Sequence, residues 1–393
     1  LALAGALVWM VLFFNGTVSV AGALEELGYL LRSKLSWAGS EDSDASADPE
    51  PLARLLRAPD TGLLPGPDDL RPTLADHHRA APESACTPKP APVMAALANA
   101  GPARRVWGHL PTGRETAPLS LPRSCGVLDV LMPGWITLSL DADGPEIIVA
   151  PDDQRMATEE FRATTATTPG LLPVVRFAPG PGETGRGLLD PAIANRALRD
   201  TAAALDGLGA AGACLDFAAL GDAERAALAP FITRFVRSFG AWGLETCLVL
   251  PGDGPGWRDA RLTRGLDRVV LTLFQRAWVG SVPGPVADET WFAETVSEAR
   301  GTLGSDRLVV ALGNFALAWR AGEPLPERLT YGAAMHRVAE AGGEIRFAEA
   351  TGNGFAAITG ADGRRQRIWF LDAVSTHNQL KILDRLGISD VAI

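Results

Sequence analysis

The chain has 393 residues, of which 47% are apolar and 21% charged, enough to bury a full core with chain left over. Its net charge of −10 argues against nucleic acid as a partner. Four cysteines (Cys86, Cys125, Cys214, Cys247) are too few for a disulfide framework, and their spacing fits no zinc pattern.

Residues 1–22 carry no charge, and about 20 such residues span the hydrocarbon core of a bilayer. A transmembrane anchor is the expectation. A signal sequence and a buried helix are the alternatives, and in the first two cases the rest of the chain lies outside the cytoplasm. Arg32 and Lys34 are too few to orient the span. Residues 23–102 read as an acidic, Pro/Ala-rich linker. Nine acids against three arginines over residues 41–78 supply −6 of the net charge. The pair His77-His78 falls in this tail and reads as solvated side chains rather than as metal ligands.

From residue 103 apolar runs recur and predict strands: Arg105–Leu110, Leu128–Leu140, Leu172–Phe177, Ala213–Phe217, Thr246–Leu250, Arg268–Phe274, Arg307–Phe315 and Ser389–Ile393. Several are near-continuous in Val, Ile and Leu, as parallel strands buried on both faces are. Helices are predicted between the later runs: Ala192–Leu208 before Gly209, a helix capped by Asp222 and running to Phe239, Ala287–Leu303, one capped by Thr330 and ending at Gly342-Gly343, and Ser375–Leu386 before Gly387. Eight strands with intervening helices predict an α/β fold, a (β/α)8 TIM barrel over residues 103–393. Residues 322–372 break the rhythm. A helix and short strands around the hairpin turn Gly360-Ala361-Asp362-Gly363 predict a small α+β insertion between strands seven and eight. The eighth strand starts at Ser389 and is expected to be truncated at 393.

The working end of the fourth strand lies at residues 210–218, Ala-Ala-Gly-Ala-Cys-Leu-Asp-Phe-Ala. Strand C-termini are where sites occur in this architecture, so Asp216 is a candidate for the cleft, or else a cap on a buried network. Cys214 and Cys247 sit in apolar runs and read as packing residues. Cys86 and Cys125, in polar segments, are candidates to pair outside the cytoplasm. Gly252–Gly256 lacks the lysine and spacing of a phosphate loop, and no cofactor is called for.

Over residues 103–393 the chain resembles glycoside hydrolase family 18. The resemblance is carried by Val269-Val270-Leu271-Thr272-Leu273-Phe274-Gln275-Arg276-Ala277-Trp278, by Pro283-Gly284-Pro285-Val286-Ala287, and by Leu308–Phe315. It is carried also by Glu344–Phe347 with Ile368–Ala373, which are similar to the family's insertion domain. The nearest branch looks like the spore peptidoglycan hydrolases and the bacterial membrane proteins that fuse such a domain to a polysaccharide deacetylase and a family 2 glycosyltransferase. That implies an N-acetylglucosamine-type glycan as partner and the outer side of a bacterial inner membrane as location.

The family's fourth strand carries D-x-x-D-x-D-x-E. Here those acidic positions are Ala211, Cys214, Asp216 and Ala218. The resemblance implies a substrate-assisted hydrolysis in which Asp216 would orient the sugar acetamide and the residue at Ala218 would protonate the leaving oxygen. Alanine cannot donate a proton, and a positioned acid is worth about 10²–10⁴-fold. The family's Tyr-Asp pair on strand six falls at Phe274 and Gln275. Three losses point to a barrel that binds a glycan without cleaving it. A purely structural domain is one alternative, and an active enzyme with a displaced acid (His109, Glu183 or Asp222) is another. Trp278 and Trp319 are the expected stacking platforms, with Trp107 and Trp135 further candidates near strand ends. Trp242, Trp257, Trp291 and Trp369 read as structural.

Overall fold

The computed structural model describes residues 104–110, 127–141, 144–164, 168–179, 185–274 and 281–393. The expected anchor and linker, with Cys86, Cys125, Glu183, Gln275 and Trp278, lie outside the described residues. Among the described residues no helix is long and apolar enough to cross a membrane.

Strands β1 (Arg105–Leu110), β2 (Val130–Pro133), β3 (Ile136–Asp141) and β4 (Gly144–Val149) come first. Helix α1 (Asp152–Thr164), β5 (Gly170–Leu171) and β6 (Val174–Pro179) follow. Helix α2 (Pro191–Gly207) leads to β7 (Gly212–Asp216), and α3 (Asp222–Ala227) with α4 (Ala229–Ala241) leads to β8 (Glu245–Pro251). The short α5 (Ala260–Thr263) precedes β9 (Arg268–Thr272), and α6 (Glu289–Leu303) precedes β10 (Leu308–Ala311). A second unit contains β11 (Phe315–Arg320), β12 (Glu327–Thr330), α7 (Tyr331–Glu340), β13 (Ile345–Ala348), β14 (Asn353–Thr359) and β15 (Arg365–Phe370). Helix α8 (Ala373–Arg385) and β16 (Asp390–Ala392) return to the first unit.

The first unit is a curled, mixed sheet of 11 strands with helices packed on it. All its pairings are parallel except the β3–β4 hairpin. The strand pairs β2–β3 and β5–β6 are each one strand with a short interruption, because β2 pairs with β5 just as β3 pairs with β6. Through those interruptions the ladder runs from β1 by way of β7, β8, β9, β10 and β16 back to β1. Successive strand residues face opposite sides. One set, including Trp107, Met132, Val174, Cys214, Cys247 and Val309, fills the space the strands enclose. The other set meets the helices. Helix α4 shows how: Phe231, Ile232, Phe235 and Phe239 form one stripe at helical spacing and are all buried. Burial of each is worth about 2 kcal/mol.

Several boundaries differ from the sequence expectation. Asp222 does not cap a single helix to Phe239. Gly221 precedes α3, whose turn Leu228 separates from α4, and Pro230 sits in the first turn of α4, where its missing N–H costs nothing. The run Arg307–Phe315 splits into β10 and β11. A side chain at Gly313 would stand 2.8 Å from Leu371 and 2.9 Å from Phe315, and this glycine lets the chain cross from one sheet to the other. The inserted sheet therefore takes in Phe315–Arg320 as well as the stretch after 322. Leu128–Leu140 is broken at Gly134-Trp135. Helix α1 and strand β4 were not anticipated: α1 has no apolar run of its own, and the apolar run 147–150 at β4 is short and follows close on β3.

Cys214 and Cys247 are not separate packing residues. They face each other across β7 and β8 and form a disulfide, with Cα atoms 4.2 Å apart. The sequence shows two buried thiols, and only the register makes them partners.

Gly212 sets the start of β7. A Cβ there would lie 2.0 Å from the Glu245 carbonyl oxygen on β8, a contact with backbone that cannot rotate away. Gly212→Ala is expected to cost upwards of about 3 kcal/mol. A denaturant midpoint equal to wild type would refute that close approach.

Candidate functional site

The alternation along each strand decides what stands at the mouth of the ring. Two residues beyond Trp107 on the same face comes His109. Two beyond Val174 comes Arg176, and two beyond Cys214 comes Asp216. These three form the layer above the buried interior, at the C-terminal ends of β1, β6 and β7.

Asp216 is held firmly. Its Oδ1 accepts the Ala218 N–H at 2.8 Å, and its Oδ2 lies 3.7 Å from Nε of Arg176. The loop beyond it is pinned from below by Arg225, which is 2% exposed. That guanidinium donates to the Leu220 carbonyl at 2.6 Å and to Asp222 at 2.7 Å. Asp222 is thereby tied to Arg225 at the start of α3. Ala218 is exposed at the same loop. His109 is exposed as a whole residue, while its imidazole is partly desolvated by the surrounding protein. That desolvation holds its imidazole below the usual histidine range. Asp216 opposes the shift, and Arg176 and Arg328 reinforce it.

The inserted sheet forms a wall beside this mouth. One of its faces packs Ala316, Ala318, Leu329 and Ile368 under α7. The other face turns Phe315, Leu317 and Trp319 toward Val286, Ala287 and Leu371, with Phe274 and Trp291 at the margin. Phe274 meets Phe315 edge to face, with ring centres 5.1 Å apart. Asn353 ties the wall to the barrel. Its Oδ1 accepts from the N–H groups of Val286 and Ala287 at 3.0 and 3.1 Å, and its Nδ2 donates to the carbonyls of Ala287 and Thr351 at 2.6 and 2.8 Å.

The structure brings Asp216 and His109 to one place, with Phe274 at the adjoining seam. Three tryptophans lie elsewhere. Trp135 is buried among the residues between sheet and helices, under Arg155. Trp319 is 8% exposed, and its indole N–H donates to the Ser281 carbonyl at 2.9 Å, so it seals the seam instead of offering a face. Trp107 is fully buried inside the ring and donates to Asp390 at 2.8 Å. Near-strand-end position, the signal used in the sequence, does not distinguish a ring facing the cleft from one facing the core. Two site residues escaped notice. Arg176 was legible from its even spacing after Val174. Arg328 was not, since only the insertion's placement brings it here. Among the described residues no group of three or more His, Cys, Asp or Glu is placed to hold a metal ion.

The arrangement offers one fixed carboxylate, two guanidiniums, one imidazole and an aromatic edge. It has hydrogen-bonding capacity and no second carboxylate among the described contacts of Asp216.

No protein-family model matches the chain, and no curated protein matches it. Solved structures do. The spore cortex-lytic enzyme SleL of Bacillus cereus aligns over 74% of this chain and 70% of its own, with a TM-score of 0.61 and 14% identity. A chitinase from Chromobacterium violaceum aligns over 74% of this chain and 93% of its own, with a TM-score of 0.61 and 18% identity. A class V chitinase from Nicotiana tobaccum, solved in complex with NAG4, aligns over the same shares with a TM-score of 0.58 and 14% identity. The fold resemblance read from the sequence therefore holds: this chain has a family 18-like fold.

Proposed function

We propose that the chain is a glycan-binding domain of family 18-like fold that takes an N-acetylhexosamine polymer at the mouth of the ring and does not hydrolyse it. The observation that carries this reading is the environment of Asp216. The loop position that would supply a general acid is Ala218, and the neighbours of Asp216 are an arginine, an imidazole and a backbone N–H. Support for a glycan ligand comes from the chitinase and cortex-lytic neighbours, one of them solved with NAG4.

The rival reading, an enzyme with a displaced acid, draws on His109. An imidazole held below its usual pKa is mostly neutral near pH 7, and its small protonated fraction makes it a poor general acid there. The third reading, a structural domain, predicts no saccharide affinity. The extracytoplasmic, membrane-held location remains part of the proposal. It rests on the uncharged stretch 1–22 and agrees with a buried disulfide, since such bonds persist in oxidising compartments. A role beside a glycan synthase or deacetylase is part of the same proposal and rests on the resemblance to fusion proteins that carry those domains.

Calorimetry and product analysis with an N-acetylglucosamine tetramer separate the readings. Binding without cleavage is expected for the wild type. Ala218→Glu is expected to leave cleavage undetectable, because Phe274 still lacks the hydroxyl that would hold the acetamide. Turnover by the wild type, abolished in His109→Gln, would establish the displaced-acid enzyme, and absence of any binding would leave the structural domain.

A further inference from the structure

Charge at the mouth runs against the charge of the chain. The chain is acidic by ten charges, yet two guanidiniums, Arg176 and Arg328, act on His109 at its mouth beside the carboxylate of Asp216. Arg328 is placed with care. It lies on the edge strand β12, opposite Leu317 of β11, on the sheet face that turns to the barrel. Its guanidinium lies 3.9 Å over the ring of Phe315 and 5.8 Å from that of Phe274. Its neighbour in sequence, Glu327, is engaged by Arg337 through two bonds of 2.7 and 3.0 Å. No described carboxylate pairs with Arg328, and it is exposed. A guanidinium stacked on an aromatic ring keeps its hydrogen-bonding edge free for a planar anion.

We infer that the mouth selects a carboxylate-bearing glycan, an N-acetylhexosamine polymer with uronate units, and that Arg328 is the residue that reads the carboxylate. This rests on the glycan-binding reading above and names the class of glycan. Asp216 is partly neutralised by Arg176 and fixed by the Ala218 N–H, so it is left to accept from sugar hydroxyl or amide groups. A neutral chitin chain gains nothing from Arg328. A deacetylated, cationic chain is repelled by it.

Four probes test this by calorimetry at low and at 0.5 M salt. They are a hyaluronan tetrasaccharide, its carboxyl-reduced counterpart, an N-acetylglucosamine tetramer, and the N-acetylglucosamine–N-acetylmuramic acid disaccharide. Hyaluronan is expected to bind at least about 10-fold tighter than its reduced counterpart at low salt. Salt should erase that preference, and so should Arg328→Gln. Arg328→Lys keeps the charge without the fork and should retain part of it. The muramyl disaccharide tells a lactyl carboxylate from a ring carboxylate: tighter binding there than to hyaluronan overturns the uronate assignment. Equal affinity for hyaluronan and its reduced form, or a preference that survives in folded Arg328→Gln, overturns the inference. In either case binding of the neutral tetramer would leave the glycan-binding reading standing. If no probe binds, both fall together.

Discussion

Asn353→Ala is expected to lose about 3–4 kcal/mol of stability and to loosen the wall of the mouth. Asn353 is fully buried and holds four backbone groups of the segment 286–287 and of Thr351. Truncation leaves two N–H groups and two carbonyls without that partner in a space closed to solvent. Each orphaned buried group costs about 1–3 kcal/mol, reduced where water can enter. The consequence reaches the site, since Val286 and Ala287 pack against Phe315 and Leu317, and Phe315 carries Arg328. Chemical denaturation gives the stability change. Hydrogen exchange should quicken in 281–288 and 315–320 more than in β7 or β8. Uniform quickening across both sheets would show that Asn353 supports the whole molecule and has no special hold on the seam.

The Cys214→Ala/Cys247→Ala double variant is expected to unfold about 3 kcal/mol more readily than the oxidised protein. The bond closes a loop with a sequence separation of 33, spanning α3 and α4. Most of its effect comes from restricting the unfolded chain, because alanine fills most of the same interior space. For a domain of this size that corresponds to a fall in Tm on the order of 5 °C. Calorimetric scans of the two proteins measure it, and peptide mapping without reductant should find the Cys214–Cys247 link directly. A wild type that maps with both thiols free, or a double variant that melts with the wild type, would remove the bond from the account. The bond also bears on the site. Cys214 stands directly below Asp216 on the same strand face, in a position where the related sequence pattern has an acid. A covalent tie between β7 and β8 therefore takes the place of a charge.

Much of the architecture was legible because its causes are local. Val, Ile and Leu runs of strand length, helices with an apolar stripe, and caps such as Thr330, whose side chain accepts from the Ala333 N–H at 3.1 Å, each follow from a few consecutive residues. Asp216 was legible too, as the polar end of an apolar run. Its lack of acidic partners was read from Ala211, Cys214, Ala218 and Gln275, and the fold placed Arg176 and His109 beside it. What the sequence left open depends on contacts between distant segments. A tryptophan near a strand end could face cleft or core, and only packing put Trp107, Trp135 and Trp319 out of reach of a ligand. Two cysteines 33 residues apart became partners only through the register of β7 on β8. Nothing in the sequence around Arg328 marks it for a site. Its place over Phe315 and near His109 comes from how the inserted sheet lies on the barrel, which Asn353 secures from 66 and 67 residues beyond the segment it holds. Local pattern determined that there would be a ring with an acid at its mouth. The tertiary structure decided which charges surround that acid, because side chains remote in sequence meet there only after the chain has closed on itself.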